Sequence, residues 1–326
     1  MVEGKKSINL LRGLLYLSPA IILMAIFTFY PIINTFIIAF QEEYNMLALN
    51  NPKATLYTGI GLGNFEYLFV TRSKDFFQSL INTVVIVFVS VPLSIVLSLL
   101  IAVALNSVKS LQKFFQTVFF LPYVTNTIAI GMVFAVIFNS HDGLMNYVVR
   151  LLGGENINWL GYNHLAPALG QSFLDPNAFL FTPQWLSGMV VLLVYIVWNS
   201  LPFKVIILLS ALQSIDKQYY QAAQIDGTSK FRIFSKITVP LLSPQIFYLL
   251  ITSFIGAFKE YTSVVAIFDK TMTTGGGSNM KTIVGFIRTY TITDPGYAAA
   301  GAIVLFIIIM IFTAINGWVG KKRVHF

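Results

Sequence analysis

Tyr219-Tyr220-Gln221-Ala222-Ala223-Gln224-Ile225-Asp226-Gly227, continuing from Thr228 to Pro240, is a polar and charged island between two apolar runs. Each run is long enough to cross a bilayer. Ala222, Ala223 and Ile225 suit a short helix. Asp226-Gly227 ends it, because Asp bonds locally to backbone amides and Gly permits a left-handed turn. Thr228 or Ser229 then caps a second helix through Lys230, Phe231, Phe234, Ile237 and Val239. On that helix Phe231, Phe234 and Ile237 or Thr238 are expected on one face, and Pro240 is expected to stop it. Two short helices joined by a glycine turn and held at a membrane surface make a rigid knob that another protein can grip.

Gln221-Ala222-Ala223, three further residues, Gly227 and a closing Thr238-Val239-Pro240 resemble the "EAA" loop of bacterial ABC importer permeases. The family pattern is Glu-Ala-Ala, three residues, Gly, and an apolar run ending in Leu-Pro. The flanks, Ala211-Leu212-Gln213-Ser214-Ile215 and Leu241-Leu242-Ser243-Pro244, resemble the sugar-type permeases of the maltose transporter class. The resemblance extends over roughly the whole chain. One departure is Gln221 where Glu is usual, so the carboxylate that could pair with a basic residue of an ATPase is missing. The resemblance implies a type I importer permease fold. It also implies a second homologous permease, two cytoplasmic ATPase subunits that bind the ATP and Mg, an extracellular solute-binding protein and a sugar substrate. Gln221, Ala222, Ala223, Asp226, Gly227, Phe231 and Phe234 would then be the ATPase-coupling residues.

Composition points the same way. Of 326 residues, 56% are hydrophobic and 10% charged, well below the roughly 25% charged of a soluble domain. A mean hydropathy of +0.75 indicates an integral membrane protein, and the long apolar runs, with the resemblance, imply an all-α fold. There is no cysteine, which excludes disulfides and thiolate metal sites, and His141, His164 and His325 lack ligand spacing. No cofactor is expected in this chain.

Six spans are expected, at about 14–40, 80–105, 115–138, 184–212, 243–268 and 296–319, in one permease domain over 14–320. Residues 1–13 and 321–326 are its tails, 215–242 the coupling loop, and 41–78, 139–183 and 269–295 the external loops. The first run follows Lys5, Lys6 and Arg12 as a secretory signal would, but it is too long and no small-residue cleavage site follows it. It reads as a retained span kinked near Pro19 or Pro31. Leu121-Pro122 is the expected kink of span three. Asn64-Phe65, Ser79-Leu80-Ile81-Asn82-Thr83 and Phe119-Phe120-Leu121-Pro122 also resemble sugar-permease segments.

Six spans put both ends on one side, and charge chooses it. The N-terminus, the 106–114 turn, the end of span four, the central loop and the tail hold thirteen basic residues, Lys204 counted among them, against Glu3, Asp216 and Asp226. The rest of the chain holds eight basic residues against ten acidic ones. The ends and the central loop are expected in the cytoplasm of a bacterium. The basic excess is therefore a topology signal, and no nucleic-acid partner is implied.

Thr273 to Thr282, with Gly275-Gly276-Gly277, invites a phosphate-loop reading, but Met280 stands where that loop needs Gly before Lys-Ser/Thr. It resembles instead the T-x-G-G-P turn of sugar permeases; a turn shaping the outer mouth and a flexible loop are both open. No nucleophile–base constellation appears, so energy is expected from a partner. The substrate path should show as polar groups inside apolar spans. Lys259-Glu260 in span five border a cavity on this reading, or else reach the outer headgroups or pair with the partner permease. Trp198-Asn199-Ser200, with Phe203 close behind, offer the amide, hydroxyl and ring faces that sugars use. Ser253 and Ala257 occupy the corresponding lining face by their distance from the motif; small polar residues mediating helix packing are the other reading. A glycerol-phosphate or other polar-solute ABC permease is the alternative, and an ion-coupled secondary transporter a more distant one.

Overall fold

The computed structural model describes residues 2–46, 48, 55–108, 112–161, 166–178 and 180–323. Lys109, His164, His325 and the last three residues of the tail lie outside them. The chain divides into two compact units, Met1–Ser73 with Ile287–Val304, and Lys74–Phe286 with Leu305–Phe326.

In the first unit, a helix begins at Val2 and its apolar part, Gly13–Phe40, is long enough to span a membrane. Its side chains are exposed along nearly the whole length, as suits a helix facing lipid or another subunit. Pro19 lies inside regular helix. The irregularity precedes Pro31, where Ala25–Phe29 form a π-helical turn and the Tyr30 N–H reaches back to the Ala25 carbonyl. A proline ring clashes with the carbonyl four residues before it, and widening the preceding turn relieves that clash. Beyond the helix, Gln41–Glu42 pair antiparallel with Gly59–Ile60. The Asn64 amide ties this ribbon down by donating to the carbonyls of Ala39 and Gln41. Arg72 is ion-paired to Asp294 at 2.7 Å and sits over the rings of Tyr67, Tyr290 and Tyr297.

The second unit carries most of the buried core. Helix Ser73–Ser107 begins seven residues before the expected second span, and helix Pro183–Ser214 matches the fourth. The third span is broken. Helix Gln112–Val124 runs through Pro122, and the chain bends after it, at Thr125-Asn126. The Asn126 side chain caps the next helix, Thr127–Ile137, accepting from Ile128 and Ala129 N–H. The break therefore falls four residues beyond the expected kink, where a capping side chain can satisfy the freed amides.

The expected fifth span, 243–268, is two helices. Ser243–Phe258 ends at Lys259, and Thr262–Phe268 starts again after Tyr261. The second piece packs closely on Thr127–Ile137: a Cβ at Gly131 would collide with the Ala266 methyl. Small residues of this kind let membrane helices approach. The last helix, Pro295–Arg323, covers the sixth span, and the boundary between the two units falls within it.

The 139–183 interval holds helix Leu144–Leu151 and a series of turns around Asn146, which is fully buried. Its amide donates to the Ser140 and Ile157 carbonyls and accepts from the Trp159 indole. Two apolar clusters fill the second unit. One gathers Ile86, Trp159, Trp185, Leu192, Tyr195 and Phe268 among others; the other gathers Leu99, Leu105, Val205, Leu208, Leu212, Leu242 and Leu249.

Candidate functional site

The loop after helix Pro183–Ser214 folds as two short helices. Asp216 starts the first, Lys217–Ile225, by accepting from the Gln218 N–H at 2.9 Å. Its end is a Schellman turn: Thr228 N–H bonds to the Ala223 carbonyl and Gly227 N–H to that of Gln224. Gly227 has φ +64°, the left-handed conformation expected of it. The second helix follows Ser229, whose side chain makes no capping bond.

That second helix does not stop at Pro240. It runs over Lys230–Leu241 and bends by 67° before Ser243–Phe258. Phe234–Thr238 are a π turn, with Val239 N–H on the Phe234 carbonyl. The arrangement is the one before Pro31: the proline is absorbed by a widened turn two residues earlier. The phenylalanines expected on one face are not buried alike. Phe231 is 79% exposed, whereas Phe234 packs beside Leu242 and Leu249 in the second apolar cluster. Ala223 is buried, while Gln221, Ala222 and Asp226 are exposed. The knob thus presents Tyr219, Ile225 and Phe231 outward and is fastened inward through Ala223 and Phe234.

On helix Pro183–Ser214, Trp198, Asn199, Ser200 and Phe203 are exposed or half-buried. Trp198 lies against Phe134 at 5.2 Å, and Phe203 stacks on Tyr123 at 5.7 Å. Ser253 is half-buried and Ala257 is buried within the chain. Lys259 and Glu260 lie at the helix break. Lys259 is exposed. The Glu260 carboxylate accepts from Tyr261 and Ser263 N–H, and its carbonyl accepts from the Thr282 hydroxyl. Glu260 is thus a cap on the restarting helix.

The glycine-rich segment forms a bonded turn. Thr273 bridges Asn279, Gly277 turns with φ +83°, and the Thr274 hydroxyl accepts from Ser278 N–H. The Lys281 ammonium pairs with Asp75 at 3.1 Å, which leaves it no phosphate-loop role. The segment is held by Asn82, a residue read above only as part of a motif. Asn82 is fully buried and makes four bonds: it donates to the Asn279 and Lys281 carbonyls and accepts from the Gln78 amide and the Trp185 indole. An asparagine inside an apolar run was the available signal. Lys204 was also misplaced. It lies ten residues before the helix end and is 5% exposed, so it leaves the cytoplasmic charge count, whose sign is unchanged.

Residues 94–325 match the family described as "Binding-protein-dependent transport system inner membrane component". The chain belongs to this family. As such it is a transport component and a multi-pass inner membrane protein. It is 29% identical over 320 residues to the lactose transport system permease protein LacF of Rhizobium radiobacter, covering 96% of this chain and 95% of that one. It is 28% identical over 313 residues to the trehalose/maltose transport system permease protein MalF of Thermococcus litoralis, covering 95% and 94%. A chain of a bacterial ABC transporter involved in import of the acidic polysaccharide alginate superposes with a TM-score of 0.72 at 19% identity, covering 99% of each. The two share a fold, so the type I importer permease architecture holds for this family member.

Proposed function

We propose that this inner membrane component is one of two permease subunits of an ATP-driven importer for a sugar or oligosaccharide. The observation that carries the reading is the 216–241 knob, whose Schellman turn at Gly227 presents Tyr219, Ile225 and Phe231 to a partner. The partners are a second permease, two ATPases that hold ATP and Mg, and an extracellular binding protein. The LacF and MalF relatives support a carbohydrate cargo. The chain does not hydrolyse ATP itself; closure of the ATPases on the knob moves spans four and five between outward- and inward-facing states. The assembled complex in proteoliposomes is expected to accumulate sugar only with ATP and loaded binding protein. Uptake driven by an ion gradient without ATP would reject this mechanism.

Within that mechanism the Trp198–Phe203 stretch lines the path. Asn199→Ala is expected to slow uptake at least several-fold while the complex still assembles; an unchanged rate would move Asn199 out of the path. Both termini and the knob lie in the cytoplasm. Reporter fusions after Arg323 and after Gly161 should read cytoplasmic and external respectively, and the reverse pattern would overturn the topology.

A further inference from the structure

On two helices of the second unit, buried polar residues lie in the sequence between members of the two apolar clusters. Helix Ser73–Ser107 contributes buried Ser90 and Ser94, and helix Pro183–Ser214 contributes Ser200 and Lys204. The Lys204 ammonium donates to Ser94 Oγ and Ser200 Oγ, at 2.5 and 3.1 Å. Each serine hydroxyl donates in turn to a backbone carbonyl, Ser94 to Val91 and Ser200 to Val197. Their lone pairs are therefore what face the cation. This is a built cradle for an ammonium, and it contains no negative charge.

The depth matters. From Lys204 to the helix end at Ser214 is about 15 Å at 1.5 Å per residue, half of a hydrocarbon core about 30 Å thick. Desolvation penalises an ammonium at that depth, and the penalty is relieved either by loss of the proton or by an anion brought close. The spans supply none. Among the described span residues the only carboxylates are Asp75, at the start of one helix, and Glu260, at the break of another. Asp75 is held by Asn279 and Lys281, and Glu260 by two backbone N–H groups.

We infer that Lys204, held by Ser94 and Ser200, recognises an acidic group — carboxylate, sulfonate or phosphate — on the transported sugar. The inference rests on the carbohydrate reading above and narrows it. The anion comes from the solute, because Ser200 lies half-buried in the Trp198–Phe203 stretch and joins that face to the ammonium one helical turn behind it. Rearrangement of span four against span two opens the cradle as the path opens.

The test uses the complete complex with its binding protein in proteoliposomes. A panel of sugars one to five units long is offered as neutral members and as carboxylated, sulfonated or phosphorylated counterparts. The wild type is expected to take up an acidic member at least tenfold faster than its neutral counterpart. Lys204→Met should cut that uptake tenfold or more and Lys204→Arg should keep most of it, with ATPase co-purification unchanged. A wild type that prefers neutral sugars overturns the inference whatever the variants do. So does a Lys204→Met complex that slows neutral and acidic members equally, or neither. Uptake of no carbohydrate at all sinks the carbohydrate reading itself, and the inference with it.

Discussion

Gly227→Leu is expected to abolish ATP-dependent uptake and to release the ATPase subunits, while the membrane spans stay folded. Gly227 sits at φ +64°, and its amide closes the turn onto the Gln224 carbonyl. A Cβ in that conformation costs on the order of 1–2 kcal/mol. Nothing lies within 4 Å of where the Cβ would stand, so the added side chain meets no neighbour in this chain. The damage falls on the turn and on whatever grips it. Gly227→Asn, which tolerates the left-handed region, separates the two causes: it should keep most activity if backbone strain dominates and lose it if bulk in the partner's groove dominates. Gln221→Glu should be harmless, since Gln221 is exposed and the replacement keeps its shape. The assays are co-purification of the ATPases and uptake with ATP. A Gly227→Leu complex that keeps its ATPases and transports normally would mean that this loop is not the coupling element.

The turn was legible because Asp-Gly after a helix-favouring run has one local solution, and the structure adopts it. The two prolines were legible only as irregularities. Pro31 and Pro240 can stop a helix, kink it, or be absorbed by a π turn, and nothing in the local sequence chooses; Phe29 and Thr238, at the ends of those turns, carry no mark. The break at Lys259–Tyr261 was hidden for a related reason. The apolar pattern resumes at Val264–Phe268, so hydropathy reads one long span, whereas the carboxylate of Glu260 and the hydroxyl of Thr282 satisfy backbone groups across the interruption. Lys204 was misread because charge near the end of a span looks the same whether it reaches water or stays inside. Only the neighbouring helix, with Ser94, decides that.

Asn82→Asp should destabilise the permease more than any change on the exposed faces. The wild-type amide uses its two N–H groups on the Asn279 and Lys281 carbonyls, both at 2.9 Å, and its oxygen on the Trp185 indole at 2.7 Å. A carboxylate can keep the indole and the Gln78 amide. It cannot donate, so two carbonyls lose their partners and face a negative oxygen instead. Each buried group left unsatisfied costs about 1–3 kcal/mol, and a charge on a fully buried side chain adds to that. The total is roughly 3–6 kcal/mol, enough to unseat the 273–282 hairpin from helices Ser73–Ser107 and Pro183–Ser214. Gln78→Ala removes only one bond to the same oxygen, 3.1 Å long, and should cost a small fraction of that. The measurement is the melting temperature of the purified complex in detergent, with protease cleavage between Thr273 and Lys281 as the local probe. Asn82→Asp is expected to melt several degrees lower and to be cut there, and Gln78→Ala to melt close to the wild type. Equal melting of Asn82→Asp and wild type would show that the hairpin is held by its outer contacts, Asp75 with Lys281 and Thr182 with Ser278, and that the asparagine is incidental.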